Sequence, residues 1–405
     1  MTERPAHDPV IQPLPADAIW VHVGVHKTGT TALQASLAAA RTSLLEQGVL
    51  YPGRESSHNM AALAGMGRSW GWRQEGATRL SRRTWSRVAR AARRHRGRVI
   101  LSSEFLSEAD PATIARLVAE LGPERVHVLI TLRPLGRILP SSWQQGLKYG
   151  GTRRYRPWLA KVLRRRRRGG RLRGGRVRTF WRRHDHGAVV KRWADVVGAD
   201  RVTVAILEGL DRTALHRLTE QRLALRAGTL TPVAEAANRS MTLPEARLVL
   251  ALNRAVRRRY DWPTYSTRIR RGAILALVEG RTPPEGEATI RTPRWARAKA
   301  ARLGRRAARR IRRLRASGLH VVGRPALLGR EVPPAAPTGG SRHRVPIETA
   351  VAAIIGAADA RTSRRESARA LSRQVRSAAG SALRRTRRRV RRWVGSTTGA
   401  GRGSR

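Results

Sequence analysis

The sequence predicts an α/β fold, with a central parallel sheet flanked by helices in three layers, and three of its features carry that reading. Four short runs rich in Val, Ile and Leu alternate with segments of helical periodicity. The first run ends in a loop containing glycines, and residues able to bind or react cluster just beyond the ends of the runs. The 40% hydrophobic content of the 405 residues is enough for a real core, though not for a chain packed from end to end.

The first run is Ile19-Trp20-Val21-His22-Val23, closed by Gly24, after which Leu33, Leu37 and Leu44 recur at helical spacing. A second, Arg98-Val99-Ile100-Leu101-Ser102-Ser103, leads into Glu104. The helical pattern PATIARLVAEL separates it from the third, Arg125 to Thr131, and AVVKRWADVVG precedes the fourth, Arg201 to Leu207. In such sheets ligands lie at the carboxyl ends of the strands, which marks residues 24–31, 102–106, 132–142 and 208–210.

Charge dominates the rest: 83 Lys and Arg stand against 27 Asp and Glu, a formal net charge of +56. Such a surplus sets a strong field for anions. It has two readings, a functional one and a coding bias toward Arg that decorates solvated faces. The absence of cysteine excludes a disulfide scaffold, a thiol nucleophile and Cys-rich zinc sites. No window approaches the roughly 18 uninterrupted apolar residues of a spanning helix. The start, MTERPAHDPVIQPLPAD, lacks the apolar run of a secretory signal, so the expected location is cytoplasmic, and the positive charge leaves peripheral contact at the inner membrane face open.

Three regions are expected. Residues 1–17 form a disordered lead-in, 18–290 the α/β domain, and 291–405 a basic extension, mainly helical or disordered and partly packed near 317–356. Within the domain, 153–183 holds 15 Lys and Arg and no acid, and reads as an exposed insertion. The extension has 31 Lys and Arg against 4 Asp and Glu. These stretches suit an anionic membrane or polymer, or simply solvated helix; the weak apolar stripe over 361–394 fits either. No known DNA-binding motif and no aromatics interleaved with the basic residues speak for nucleic acid, which is disfavoured as a partner.

Val23-Gly24-Val25-His26-Lys27-Thr28-Gly29-Thr30-Thr31 sits between strand and helix. Its glycines let backbone N–H groups converge on an anion, the helix start adds a positive dipole end, and Lys27 supplies a full charge. Hydroxyls of Thr28, Thr30 and Thr31 are further donors, and His26 stands beside them. A nucleoside-triphosphatase loop needs its Lys after the second Gly, whereas Lys27 precedes Gly29, and the third strand runs into Leu132-Arg133 without the Asp that would hold magnesium. The loop suits a phosphate with no metal bridge.

This loop resembles the 5′-phosphosulfate loop, K-[ST]-G-T-[TS], of sulfotransferases that use 3′-phosphoadenosine 5′-phosphosulfate (PAPS). A second stretch, RPLGRILPSSWQQ, places Arg133 and Ser141 eight residues apart after the third strand, as in that family's 3′-phosphate pattern R-[DN]-P-x-x-R-x-x-S. Pro134 stands where an actinobacterial-type subgroup often carries Asp, and Pro140 directly precedes Ser141. The resemblance covers roughly residues 18–260, with weaker echoes at Asn238-Arg239-Ser240 and GLHVVGRPALL. It implies a P-loop-like fold, PAPS as donor, and sulfuryl transfer to a hydroxyl acceptor, a small molecule or a glycan or glycolipid. Residues 26–31, Arg133 and Ser141 would hold the nucleotide, and Lys27 would neutralise the leaving oxygen.

An acceptor hydroxyl needs a general base. Glu104, directly after the second strand, is the leading candidate, and His58 in the loop SSHNMAAL is the second. Two rivals stay open: a non-catalytic binder of nucleic acid or membrane on a degenerate nucleotide-binding fold, and a nucleotide kinase.

Overall fold

The computed structural model describes residues 11–72, 77–164, 175–233, 239–333 and 345–360. Its centre is a parallel sheet of six strands: β1 (Ile19–His22), β2 (Val49–Leu50), β3 (Arg98–Ser102), β4 (Val126–Leu132), β5 (Val202–Ile206) and β6 (His320–Val322). The spatial order is β2-β3-β1-β4-β5-β6, so β1 is flanked by β3 and β4, with Val21 opposite Leu101 on one side and Val128 on the other. The chain leaves β1 toward one half of the sheet and β4 toward the other, the switch point at whose carboxyl ends ligands of such sheets bind.

Alternation along the strands builds both outer layers. Ile19, Val21 and Val23 enter one buried cluster with Ile114, Leu117, Trp193 and Ile311. Trp20 between them enters the opposite cluster, with Leu33, Leu37, Ile100 and Leu218. A third cluster lies beside the sheet, where helix Leu135–Lys148 packs against the helical region that follows residue 241 through Leu139, Trp143, Trp262 and Tyr265.

The expected boundaries shift in three places. Leu14 is buried, donates its N–H to Arg222 O at 2.9 Å, and accepts from the Arg98 guanidinium, so the described part of the lead-in is stitched to the domain. Helix Arg294–Arg315 buries an alanine-rich face, with Ala296, Ala300 and Leu303 in the cluster beside the sheet and Ile311 in the main core, and β6 extends the sheet, so the α/β unit runs well past residue 290. Gly304 shows how close that packing is, because a Cβ there would lie 1.7 Å from Leu328 O. The arginines on this helix hid its alanine face from a reading by composition. Around the basic insertion, Leu159, Val162, Leu163, Phe180 and Trp181 are buried and Trp181 Nε1 donates to Val162 O at 3.0 Å, so its flanks are anchored. The arginines at 165–168, Asn238 and the stripe over 361–394 lie outside the described residues.

Candidate functional site

Between β1 and helix Thr30–Ala39 the backbone takes positive φ at Gly24 (79°), Lys27 (71°) and Gly29 (82°). Gly24 is needed twice over: its conformation disfavours a side chain, and a Cβ would lie 2.9 Å from Glu104 Cβ. The missing side chain is what lets Glu104 pack on the loop. Lys27 has no such freedom and carries strain of about 1–2 kcal/mol. Among the described residues, the backbone N–H groups of His26 through Thr31 meet no acceptor, the arrangement of an anion cradle.

Lys27 Nζ crosses to the helix after β4, donating to Gln145 Oε1 at 2.7 Å. Burial lowers its pKa from 10.5 to about 8; Lys148 acts in the same direction and Glu104 against it. An ammonium stripped of water in this way gains more from an incoming anion than an exposed one.

Beneath the loop runs a buried chain of hydrogen bonds. Thr28 Oγ1 donates to Val25 O at 2.6 Å and lies 2.7 Å from Thr131 Oγ1. His22 Nε2 is 3.2 Å from Thr131 Oγ1, and its Nδ1 is 2.9 Å from Ser102 Oγ. Gln34 Nε2 donates to Ser102 Oγ at 3.1 Å and to Glu104 Oε2 at 3.2 Å. One assignment of hydrogens satisfies every member: Thr131 donates to Thr28, His22 Nε2–H to Thr131, and Ser102 to His22 Nδ1. The imidazole is then neutral, in keeping with burial, which lowers its pKa to about 4.

Three sequence expectations change here. The Thr28 hydroxyl is spent on this chain and points into the core, leaving only its backbone N–H for a ligand; Thr30 is buried as well, and Thr31 is exposed. His26 turns away from the loop's open side: its Nε2 is 3.3 Å from Glu108 Oε1, and its ring packs edge-on against Phe105 at 5.0 Å. Glu108 also binds Arg68 and Arg183; burial would raise its pKa, but Arg183, with His26 and Arg68, outweighs that and holds it well below the carboxylate range. His58 is the third. Its Nδ1 accepts from Ser102 N at 3.1 Å and its Nε2 is 2.9 Å from Pro52 O, so both ring nitrogens are engaged. Burial lowers its pKa to about 4, and it pins its loop to β3 with no lone pair left for an acceptor proton.

Glu104 lies two residues past β3, against the loop that follows β1. Asn59 Nδ2 donates to its Oε1 at 3.3 Å while Gln34 holds the other oxygen. Arg133, one residue past β4, is exposed and has no partner among the described residues. Ser141 stands in the second turn of helix Leu135–Lys148, its hydroxyl donating back to Ile138 O at 3.0 Å. The two loops meet through the backbone, since Thr131 N donates to Gly24 O at 2.7 Å and Val25 N to Thr131 O at 2.9 Å. Lys27 thus follows β1, and Arg133 and Ser141 follow the neighbouring β4.

Gln34, Asn59, Gln145, Ser102 and Thr131 also meet around these residues; Asn59, Gln145 and Ser102 fall in stretches already marked, but the sequence assigned none of the five a role. Gln34 had left one signal, as a polar residue on the helix face that buries Leu33 and Leu37.

No protein-family model matches the chain, and no curated protein matches it. Among solved structures, the crystal structure of a sulfotransferase from Alicyclobacillus acidocaldarius is similar, with a TM-score of 0.38 and 19% identity over 61% of this chain and 98% of that one.

Proposed function

We propose that this chain is a sulfotransferase that moves a sulfuryl group from PAPS to a hydroxyl acceptor. One observation supports it above the rest: an amide cradle and an Arg133 without partners among the described residues follow the adjacent strands β1 and β4, with a desolvated Lys27 in the cradle and an amide-clamped Glu104 packed on the same loop. Lys27 and the loop amides suit the 5′-phosphosulfate, and Arg133 with Ser141 suits the 3′-phosphate. The acceptor oxygen forms a bond to sulfur as the bond from sulfur to the bridging phosphate oxygen breaks. Glu104 takes the hydroxyl proton, and the Lys27 ammonium stabilises the electron pair left on that phosphate oxygen. Gln34 and Asn59 fix the carboxylate's orientation. Release then yields 3′,5′-adenosine bisphosphate and the sulfated acceptor.

Calorimetry with 3′,5′-adenosine bisphosphate tests the nucleotide half of this reading. Binding is expected, weakened by Lys27→Ala and by Arg133→Ala; no binding, or binding indifferent to both changes, rejects it. For the chemistry, Glu104→Gln is expected to abolish transfer of radiolabelled sulfuryl groups to a panel of acceptors while bisphosphate binding survives.

A further inference from the structure

Helix Leu135–Lys148 carries Ser141, Gln145 and Lys148 at spacings of four and three, hence on one face. Ser141 stands at the end assigned to the 3′-phosphate, and Gln145 holds the Lys27 ammonium one turn on. Lys148 continues the same line, about 10 Å beyond Ser141 at the rise of an α-helix. A donor stretched from Ser141 to Lys27 leaves Lys148 on the acceptor's side. Its ammonium has no hydrogen-bond partner among the described residues, and burial lowers its pKa from the ordinary value.

A second cation stands close by. Arg270 Nη2 donates to Tyr149 Oη at 3.4 Å, its guanidinium lies 4.8 Å from the centre of that ring, and its buried Nε has no partner among the described residues. The Tyr149 ring meets Trp70 edge-on at 5.5 Å, and Trp70 meets Phe105 at 5.8 Å. Phe105 directly follows Glu104, so an aromatic wall runs from the candidate base to the two cations. The acids that act on Lys148 are Glu279 and Glu245, and Glu245 is already bound by Arg239 and Arg281. Arg183, the other cation acting on Lys27, is held by Glu108. Among the described residues beside this aromatic wall, and apart from Lys27 and Arg133 on the nucleotide, Lys148 and Arg270 are positive groups that no carboxylate binds directly.

We propose that the acceptor carries an acidic group of its own, a carboxylate, sulfate or phosphate ester, and that Lys148 and Arg270 hold it while the acceptor hydroxyl faces Glu104. The proposal rests on the sulfuryl-transfer reading and deepens it by naming the class of acceptor. A neutral acceptor would bury the two cations further while bringing no counter-charge of its own, an unfavourable exchange that selects for an acidic one.

Two matched pairs of acceptors test it, given with radiolabelled PAPS: 4-hydroxyphenylacetate against 4-methylphenol, and a uronic-acid tetrasaccharide against its carboxyl-reduced counterpart. The pairs distinguish a small acid from an acidic glycan. The acidic member of at least one pair is expected to be preferred by about tenfold in kcat/KM, the worth of one charge-assisted hydrogen bond. Lys148→Met and Arg270→Gln should raise KM for that member and erase the preference, while Lys148→Arg restores it. Failure to bind 3′,5′-adenosine bisphosphate would be the failure of the sulfotransferase reading. With that binding intact, equal or no use of the acidic members, or a preference that survives Lys148→Met, overturns the acidic-acceptor subsite alone.

Discussion

The two ends of the candidate nucleotide site are built by opposite means. Around Lys27 the donors are backbone amides fixed by two glycines, over a floor of buried side chains whose hydrogen bonds are all matched. At the other end, Arg133 is an exposed side chain with no partner among the described residues, and Ser141 bonds its own helix. The first end is organised before a ligand arrives and fixes where an anion sits. The second must order a long side chain on binding, which costs rotamer entropy, and its charge is open to screening by salt.

Acid should undo the organised end first. His22 and His58 are neutral in the fold, with pKa values lowered by burial to about 4, whereas in the unfolded chain they titrate near 6.5. The unfolded state therefore binds more protons between pH 6.5 and 4, and stability falls as pH falls through that window. Together the pair amounts to a loss on the order of several kcal/mol. Urea unfolding followed across this range should show that slope, and His58→Gln should flatten it by about one proton. A slope unchanged by the substitution would mean that His58 is not buried neutral.

The glycines sharpen the same contrast. Gly24→Ala meets both a strained φ and the Glu104 backbone and Cβ, while Gly29→Ala has the same strain with nothing within 4 Å of the new Cβ. About 3 kcal/mol of lost stability is expected for the first and about 1–2 for the second. Equal losses in chemical denaturation would break the claim that Glu104 is seated on Gly24.

Charge removal compares the two ends directly. Lys27→Ala should weaken binding of the bisphosphate about 100-fold, and Arg133→Ala about tenfold, the smaller loss fading as salt is raised. Because the Lys27 ammonium gives up its proton near pH 8, wild-type affinity should decline above that pH, and binding should take up protons there. Its burial has a further consequence. Below pH 8 the charged form burdens the fold, and stability rises as pH climbs from about 8 toward 10.5. Lys27→Gly, which removes both the positive-φ strain and the buried charge, should accordingly be more stable than wild type by about 1 kcal/mol or more while failing to bind. A destabilised Lys27→Gly would show that the strained residue supports the loop and is not there for the ligand alone.

Local pattern made four of the six strands legible, along with the loop after β1 and the positions of Glu104 and Arg133. Strand β2 has two residues and β6 three, too short for alternation to register, and both sit at the sheet's edges. Helix Arg294–Arg315 was missed as part of the domain for a different reason, since small alanines bury its inner face and charge masks it. Within the site, spacing located the groups that bear charge but not what each touches. His58 and Thr28 have suitable side chains in suitable loops, and only the tertiary contacts show that their lone pairs and hydrogens are already used. Gln34 and Asn59 come from two different helices, and their convergence on one carboxylate is a product of packing with no local signature.

The smallest effect concerns Ser141 and the loosely built end. Its hydroxyl hydrogen is directed at Ile138 O, 3.0 Å away, with Arg137 O at 3.4 Å, in a helix whose preceding residue, Pro140, has no N–H to offer. A dianionic phosphate only accepts hydrogen bonds, so Ser141 can reach it only by giving up its bond to the helix. That exchange of one neutral hydrogen bond for another leaves a net contribution of about 1 kcal/mol at most. Ser141→Ala should therefore weaken bisphosphate binding by no more than about fivefold, less than Arg133→Ala, and should leave its salt dependence as in wild type. If calorimetry instead shows Ser141→Ala matching the loss from Arg133→Ala, the hydroxyl turns fully to the ligand, and this end of the site is better organised than its free arginine implies.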